Sequence, residues 1–256
     1  MSLPKPPITV QELVARGAPQ GMDEAQLVAV TRYWRQLLET RTPEGNDHVV
    51  GMVGNIAQRS LANVVPPGTF ACKRGCFHCC HWHVGLFAPE AFRIARQLRK
   101  TPKVRDALAG VAAQIVGVKP FDRPAMRLPC ALLVKGACSI HPFRPHSCRA
   151  FMSIDVADCI DSLIGGPRQI RSVEVYDRAE GRIGLAFLAA VTAAGLFARS
   201  YEINGILAML LDDPGLEARW YAGEDVFAAH DDGLTDTRGA IAETLSDLVF
   251  LATRPL

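Results

Sequence analysis

The stretch Cys72-Lys73-Arg74-Gly75-Cys76-Phe77-His78-Cys79-Cys80-His81-Trp82-His83 decides how this chain is read. Four of its eight cysteines fall within residues 72–80, with His78, His81 and His83 among or beside them. A second batch follows at Cys130, Cys138 and Cys148. A hydrophobic core has no need of thiols at this density. A soft, thiolate-preferring metal site does.

Outward from the cysteines the chain reads as helix on both sides. Thr9-x-x-Glu12 is a capping-box pattern that opens a short helix closed at Gly17, after a loose arm carrying Pro4, Pro6 and Pro7. A stronger helix is predicted over residues 23–41, with Leu27, Val30, Trp34, Leu37 and Leu38 at helical spacing. Residues 42–46 read as a break, and a third helix follows over 47–64, closed by Pro66-Pro67-Gly68. Pro89 suits the first turn of a helix that puts Ala91, Ile94, Ala95 and Leu98 on one side. Thr101-Pro102 restarts a second one, running to Val116. Residues 117–150 differ: Pro120, Pro124, Pro129, Pro142 and Pro145 forbid a long helix, and residues 131–134 are a candidate short strand. Such a loop is not ordered by its own hydrogen bonds, but a metal clip would order it. Helices are expected again over 168–180, 183–200, 203–211 and 240–251. The fold class is therefore mainly α: an irregular helical domain with a metal-stapled, Pro/Cys-rich loop region and little β. The expected layout is a helical N-terminal segment (1–70), a cysteine-cluster region (71–160) and a helical C-terminal segment (161–256), together one compact unit.

Composition narrows the function classes. Hydrophobic residues make up 49% of the 256, so a sizeable core can be buried. No basic region followed by an apolar run opens the chain, so no secretory signal is read there. The most apolar segment, residues 183–198, falls short of the ~20 residues a bilayer span needs, so no membrane partner is expected. Eight cysteines without a signal point to the reducing cytoplasm, and to metal or redox chemistry rather than disulfides. The formal charge of +2 hides an uneven distribution. Residues 71–150 hold 14 basic side chains and only Glu90, Asp106 and Asp122 as acids, while residues 151–256 hold 8 basic and 17 acidic. Thiolates bound to a metal stay anionic, and nearby Lys and Arg would stabilise them. The basic block could also face the acidic third, or take an anionic partner. Complementation within the protein ranks first, because the whole-chain charge is too small for a generic nucleic-acid binder.

Cys72-x3-Cys76-x2-Cys79 can bring three thiolates onto one metal or cluster, zinc or iron–sulfur. Adjacent side chains usually point apart, so Cys80 is read either as a ligand to a second metal or as a buried thiol. Cys130, Cys138 and Cys148 supply further partners, giving one four-ligand site with spare thiols or two sites. Cys159 reads first as an ordinary core cysteine. His78, His81 and His83 read as donors behind the ligands or as surface groups, His81 being the best ligand candidate among them. Arg144 and Arg149 flank Cys148 and are candidate cofactor-binding residues, compensating charge or donating to cluster sulfurs or a bound anion. Their alternative is an ion pair with the acidic third.

The combination of Cys72-x3-Cys76-x2-Cys79-Cys80 with Cys130-x7-Cys138-Ser-Ile-His141-Pro-x-Arg144-Pro145-x2-Cys148-Arg149 resembles the YkgJ-type cysteine-cluster family, described as zinc- or iron-chelating. The resemblance covers residues 72–150. It implies metal ligation by Cys72, Cys76, Cys79, Cys80, Cys130, Cys138 and Cys148. His141 stands where Tyr is more usual, and the spacer between the batches is long. Similar cysteine patterns accompany flagellin lysine N-methylase, which implies that some relatives are enzymes. Two classes of function follow: a metal-binding module with a zinc or iron–sulfur centre, or an iron–sulfur enzyme of group or methyl transfer. Radical S-adenosylmethionine chemistry ranks lower, because the strand–helix alternation it needs does not follow the motif. Neither G-x-S-x-G nor GK[ST] occurs, and Cys76 to His81 reads C-x-x-C-C-H rather than the haem-attachment pattern.

Overall fold

The structure is a computed structural model that describes residues 22–73, 75–101, 103–234 and 240–254. The arm and the helix expected over residues 9–17 lie outside them, as does Pro102. The fold is mainly α, as the periodicity predicts. The chain divides into two compact units: Met1–Pro67 with Glu174–Ala198 and Asp236–Leu256, and Gly68–Val173 with Arg199–Thr235.

The first unit packs α1 (Glu24–Glu39), α2 (Pro43–Val64), α7 (Glu174–Ala193) and α10 (Ala240–Thr253). Asp23 caps α1 in a capping box with Gln26, satisfying two end groups that would otherwise lack partners. Leu27, Val30, Trp34 and Leu38 are buried along one stripe, and Trp34 meets Phe187 of α7 edge-on at 6.2 Å. The break expected at residues 42–46 is instead the start of α2. Thr42 accepts from Gly45 N at 3.2 Å and Pro43 sits in the first turn, where a missing N–H costs nothing. Residues 168–180 and 183–200 read as two helices, but α7 runs unbroken through Gly181 and starts only at Glu174. Gly195, at φ 67°, ends that run early. Arg32 and Arg35 donate to the carbonyls of Leu251 and Ala252, capping the last turn of α10.

The second unit carries the cysteines. Strand β1 (Gly85–Phe87) pairs antiparallel with β4 (Ser200–Glu202), Gly85 facing Glu202 and Phe87 facing Ser200. Helix α3 (Ala88–Leu98) follows β1, then α4 (Lys103–Ile115), and α8 (Ile203–Asp212) follows β4 and packs against both. The face of α3 predicted to be apolar is the buried one: Ala91, Ile94, Ala95 and Leu98. Phe92 is fully buried with its ring centroid 5.2 Å from that of Trp220, 5.8 Å from Tyr221 and 6.1 Å from Phe227. Each such ring contributes roughly 2–3 kcal/mol on burial, more than a ladder hydrogen bond at roughly 1 kcal/mol. Each ring of the aromatic cluster therefore outweighs a single ladder hydrogen bond in holding α3 in place. Trp220 and Tyr221 lie on α9 (Leu216–Tyr221), a six-residue helix with no sequence-level expectation.

Residues 117–150 form no long helix. They run through 3-10 turns at Pro120–Met126 and His141–Phe143 and a hairpin of β2 (Leu133–Val134) with β3 (Ala137–Cys138). Lys135 and Gly136 turn that hairpin at φ 50° and 74°, the left-handed pair a two-residue loop requires. Helix α5 (His146–Ala150) carries Cys148, and α6 (Val156–Leu163), capped by Asp155, carries Cys159. Arg96 pairs with Glu217 and Arg105 with Asp212, so part of the basic block does meet the acidic third.

Candidate metal centre

Two halves of a split motif meet in the second unit. The first lies on a 3-10 turn, His78–His81, which Phe77 O opens by accepting from Cys80 N at 3.0 Å. The second is tied to it directly: Cys130 N donates to Cys80 O at 2.7 Å. A further tie runs through residues 71–72. Ala71 N donates to Ser153 O at 2.8 Å, and Ser153 N donates to Cys72 Sγ at 3.4 Å. Buried Asn204 at the start of α8 accepts from Ala131 N at 2.9 Å and donates to Glu202, holding the backbone next to Cys130.

These ties bring Cys72, Cys76, Cys79, Cys80, Cys130, Cys138 and Cys148 to the wall of one cavity of about 670 Å³. Arg144 and His141 line it too. Arg149 does not: its guanidinium donates to the carbonyls of Arg144 (3.0 Å) and Pro142 (2.8 Å), bracing the loop instead. His78 and His81 stack around Phe77 with centroids 5.0 and 6.2 Å away, outside the cavity wall. His83 turns to another part of the unit. Cys159 is buried outside the cavity wall, within hydrogen-bonding reach of Ser153 and near enough to feel Cys72, Cys76 and Cys79.

Burial and crowding at the cavity hold the thiols protonated unless positive charge compensates them. Burial pushes the Cys130 thiol up to about 12 and raises those of Cys72, Cys138 and Cys148. Cys79 is raised first by its hydrogen bond with Cys80 and then by burial. Neighbouring thiols add repulsion at Cys72, Cys130, Cys138 and Cys148. Arg144 acts the other way on Cys72, Cys79, Cys138 and Cys148. Its Nε is buried with no hydrogen-bond partner among the described residues, leaving a donor for an anionic thiolate centre. The donor chemistry thus fits a thiolate-bound metal. Among the described residues no group of three or more Cys, His, Asp or Glu side chains is arranged as a ready metal-binding set. The thiols ring the cavity rather than converge on one point.

Sequence reasoning counted Glu90 only as a charge. It is 3% exposed and bridges two elements, accepting from Phe87 N at 3.2 Å and His146 N at 2.7 Å. It thereby joins the start of α3 to the start of α5, two residues ahead of Cys148. Its position at N3 after Pro89 marks an acid at a helix start, but the contact with His146 that makes it a bridge has no sequence signal.

A helical protein with this ring of thiols belongs to the metal-binding class. Residues 71–169 match the CxxCxxCC family model, a domain described as zinc- or iron-chelating, which is the cysteine-cluster family the motif resembles. No curated protein and no solved structure matches the chain. Among the described residues no helix is long and apolar enough to cross a membrane.

Proposed function

We propose that the protein chelates metal at a single polynuclear centre held by Cys72, Cys76, Cys79, Cys80, Cys130, Cys138 and Cys148. The observation that carries this reading is the one cavity lined by all seven thiols. A mononuclear tetrahedral site takes four ligands, and two separate sites would divide the thiols between two hollows. Seven donors around one volume suit several metal ions bridged by thiolate or sulfide. Zinc and iron–sulfur are the two fillings this donor set accepts. Arg144 would offset the negative charge that remains on the centre, as its position on the same wall supports. Six of the seven cysteines are only partly buried, which supports a centre that exchanges metal with solvent over a sealed structural staple. When bound, the metal supplies the positive charge that lets these thiols ionise.

Anaerobic purification followed by elemental analysis, acid-labile sulfide assay and an absorption spectrum tests this. More than one metal per chain is expected. Iron with sulfide and a visible band identifies a cluster, and zinc without a band identifies a zinc–thiolate centre. One metal per chain, with three or more of the seven thiols still open to alkylation in the folded protein, would overturn the shared centre.

A further inference from the structure

The second unit holds another cavity, of about 850 Å³, that shares no lining residue with the cysteine cavity. Its size falls within the range of small-molecule sites. One side is apolar, built by small and aliphatic residues of two packed helices: Ala109, Ala112 and Ala113 of α4, Ile206 and Met209 of α8. The polar lining includes His83, Arg123, Glu202 and Asp232.

Arg123 is the unusual member. It is 1% exposed, which for a cation normally requires a bound anion. Nη1 donates to Leu128 O at 2.6 Å. Nε and Nη2 are buried with no partner among the described residues. Glu202 is close enough to feel the charge, yet its carboxylate is committed elsewhere: Oε1 accepts from Asn204 at 2.6 Å and Oε2 from Gly205 N at 2.9 Å. Two orphaned N–H groups on one cation are costly to leave unmade. Nε and Nη2 form the edge of the guanidinium that presents two parallel donors, the geometry matched by the two oxygens of a carboxylate.

The polar wall beside it is built rather than incidental. His83 Nε2 meets Asp232 Oδ2 at 2.8 Å, and Ser200 Oγ donates to the same oxygen at 2.8 Å. Asp232 Oδ1 accepts from Leu234 N at 3.0 Å, so both carboxylate oxygens are engaged. Gly85 makes the arrangement possible: a Cβ there would stand 2.3 Å from Ser200 Oγ and 3.0 Å from Asp232 Oδ2. With Nε2 held by Asp232, the His83 ring is fixed in the wall and Nδ1 is left as its second polar atom.

We propose that this cavity binds a small monocarboxylate with an apolar body, its carboxylate on the Nε–Nη2 edge of Arg123 and its body against α4 and α8. A phosphate dianion is disfavoured, because the carboxylates lining the cavity (Asp106, Glu202, Asp212, Asp231 and Asp232) outnumber its cations (Arg105, Lys119 and Arg123) and would repel the second charge. Arg123 lies outside the cysteine cavity's wall, although it is near enough to Cys130 for each to influence the other's ionisation, so the probes are titrated against the metal-loaded chain.

Calorimetric titration of the full-length, metal-loaded chain tests it. The probes are hexanoate, phenylacetate and benzoate, their primary amides, and phenyl phosphate. At least one carboxylate is expected to bind, with its amide at least tenfold weaker and phenyl phosphate weaker still. Arg123→Lys, which keeps the charge but loses the fork, should weaken binding at least tenfold. Because a buried Arg variant can fail to fold, Ala112→Phe supplies an independent arm: it fills the apolar side, leaves Arg123 alone and should also abolish binding. No carboxylate binding at millimolar concentration, amide or phosphate binding as tight as the carboxylate, or unchanged affinity in folded Ala112→Phe overturns the proposal.

Discussion

Single residues set the protonation and packing of the second unit. Burial raises the Glu90 carboxyl to about 7 from an ordinary 4.5, against the pull of the two N–H groups and Arg149. The folded state therefore holds this proton more tightly than the unfolded state does. The stability this contributes is complete below about pH 4.5 and is lost as pH rises through 7, a change of about 3 kcal/mol. Glu90→Gln cannot titrate, so the difference in unfolding free energy between wild type and variant should change with that sign between pH 4.5 and 7. A constant difference across the window would refute the assignment. Gly85 is a second such position, and here the argument is steric. Gly85→Ala should cost about 1–3 kcal/mol, because its Cβ meets the Ser200 hydroxyl. Adding Ser200→Ala removes the nearest atom and should recover more than half of that loss in denaturant titrations; no recovery would place the cost elsewhere. Neither role can be read from residue type. An acid at N3 and a glycine in a strand are common, and only the neighbour across the fold makes them special.

At the scale of elements, short segments are held by specific hydrogen bonds rather than by their own length. The strand and turns around Cys130 are too short to be stable alone. They are fixed by Cys80 O and by the Asn204 side chain. Asn204→Ala leaves the Ala131 N–H without its acceptor, at about 1–3 kcal/mol. Hydrogen exchange at Ala131 should then quicken at least tenfold while the amides of α3 keep their protection; equal quickening in α3 would mean general unfolding instead. Helices α1, α3 and α8 were legible because their apolar residues recur with the helical period. The beginning of α2 was not, since Thr42-Pro43 serves equally as a breaker and as a cap with Pro in the first turn. Residues 168–173 carried helix-compatible types but are drawn off by α6 and the segment ahead of it, where Asp158 takes Arg171 Nε at 2.8 Å and Ile154 N donates to Arg171 O at 3.1 Å. Propensity there yields to tertiary contacts.

Across the whole molecule, the two units differ in what keeps them folded. The first is a helix bundle with Trp34 and Phe187 in its core, while the second adds a proline-rich run whose thiols line one cavity. Stripping the metal with a chelator should therefore raise hydrogen exchange in residues 72–83 and 128–153, and leave α1, α2 and α7 protected. Uniform loss of protection in both units would contradict this division. Eight cysteines, their spacing and the helical period are readable without a fold, because they are properties of residue identity and near spacing. Tertiary structure alone decided which donors share a cavity, that Arg144 lines it while Arg149 braces the loop, and that Arg123 stands buried at a second cavity between α4 and α8. The shared cavity depends on contacts across some fifty to eighty residues, such as Cys130 N to Cys80 O and Ala71 N to Ser153 O, which no local pattern encodes, while the Arg149 brace reaches carbonyls only five and seven residues back. The stretch from Cys72 to His83 thus supplies four of the thiols, and the fold brings three more to the same cavity.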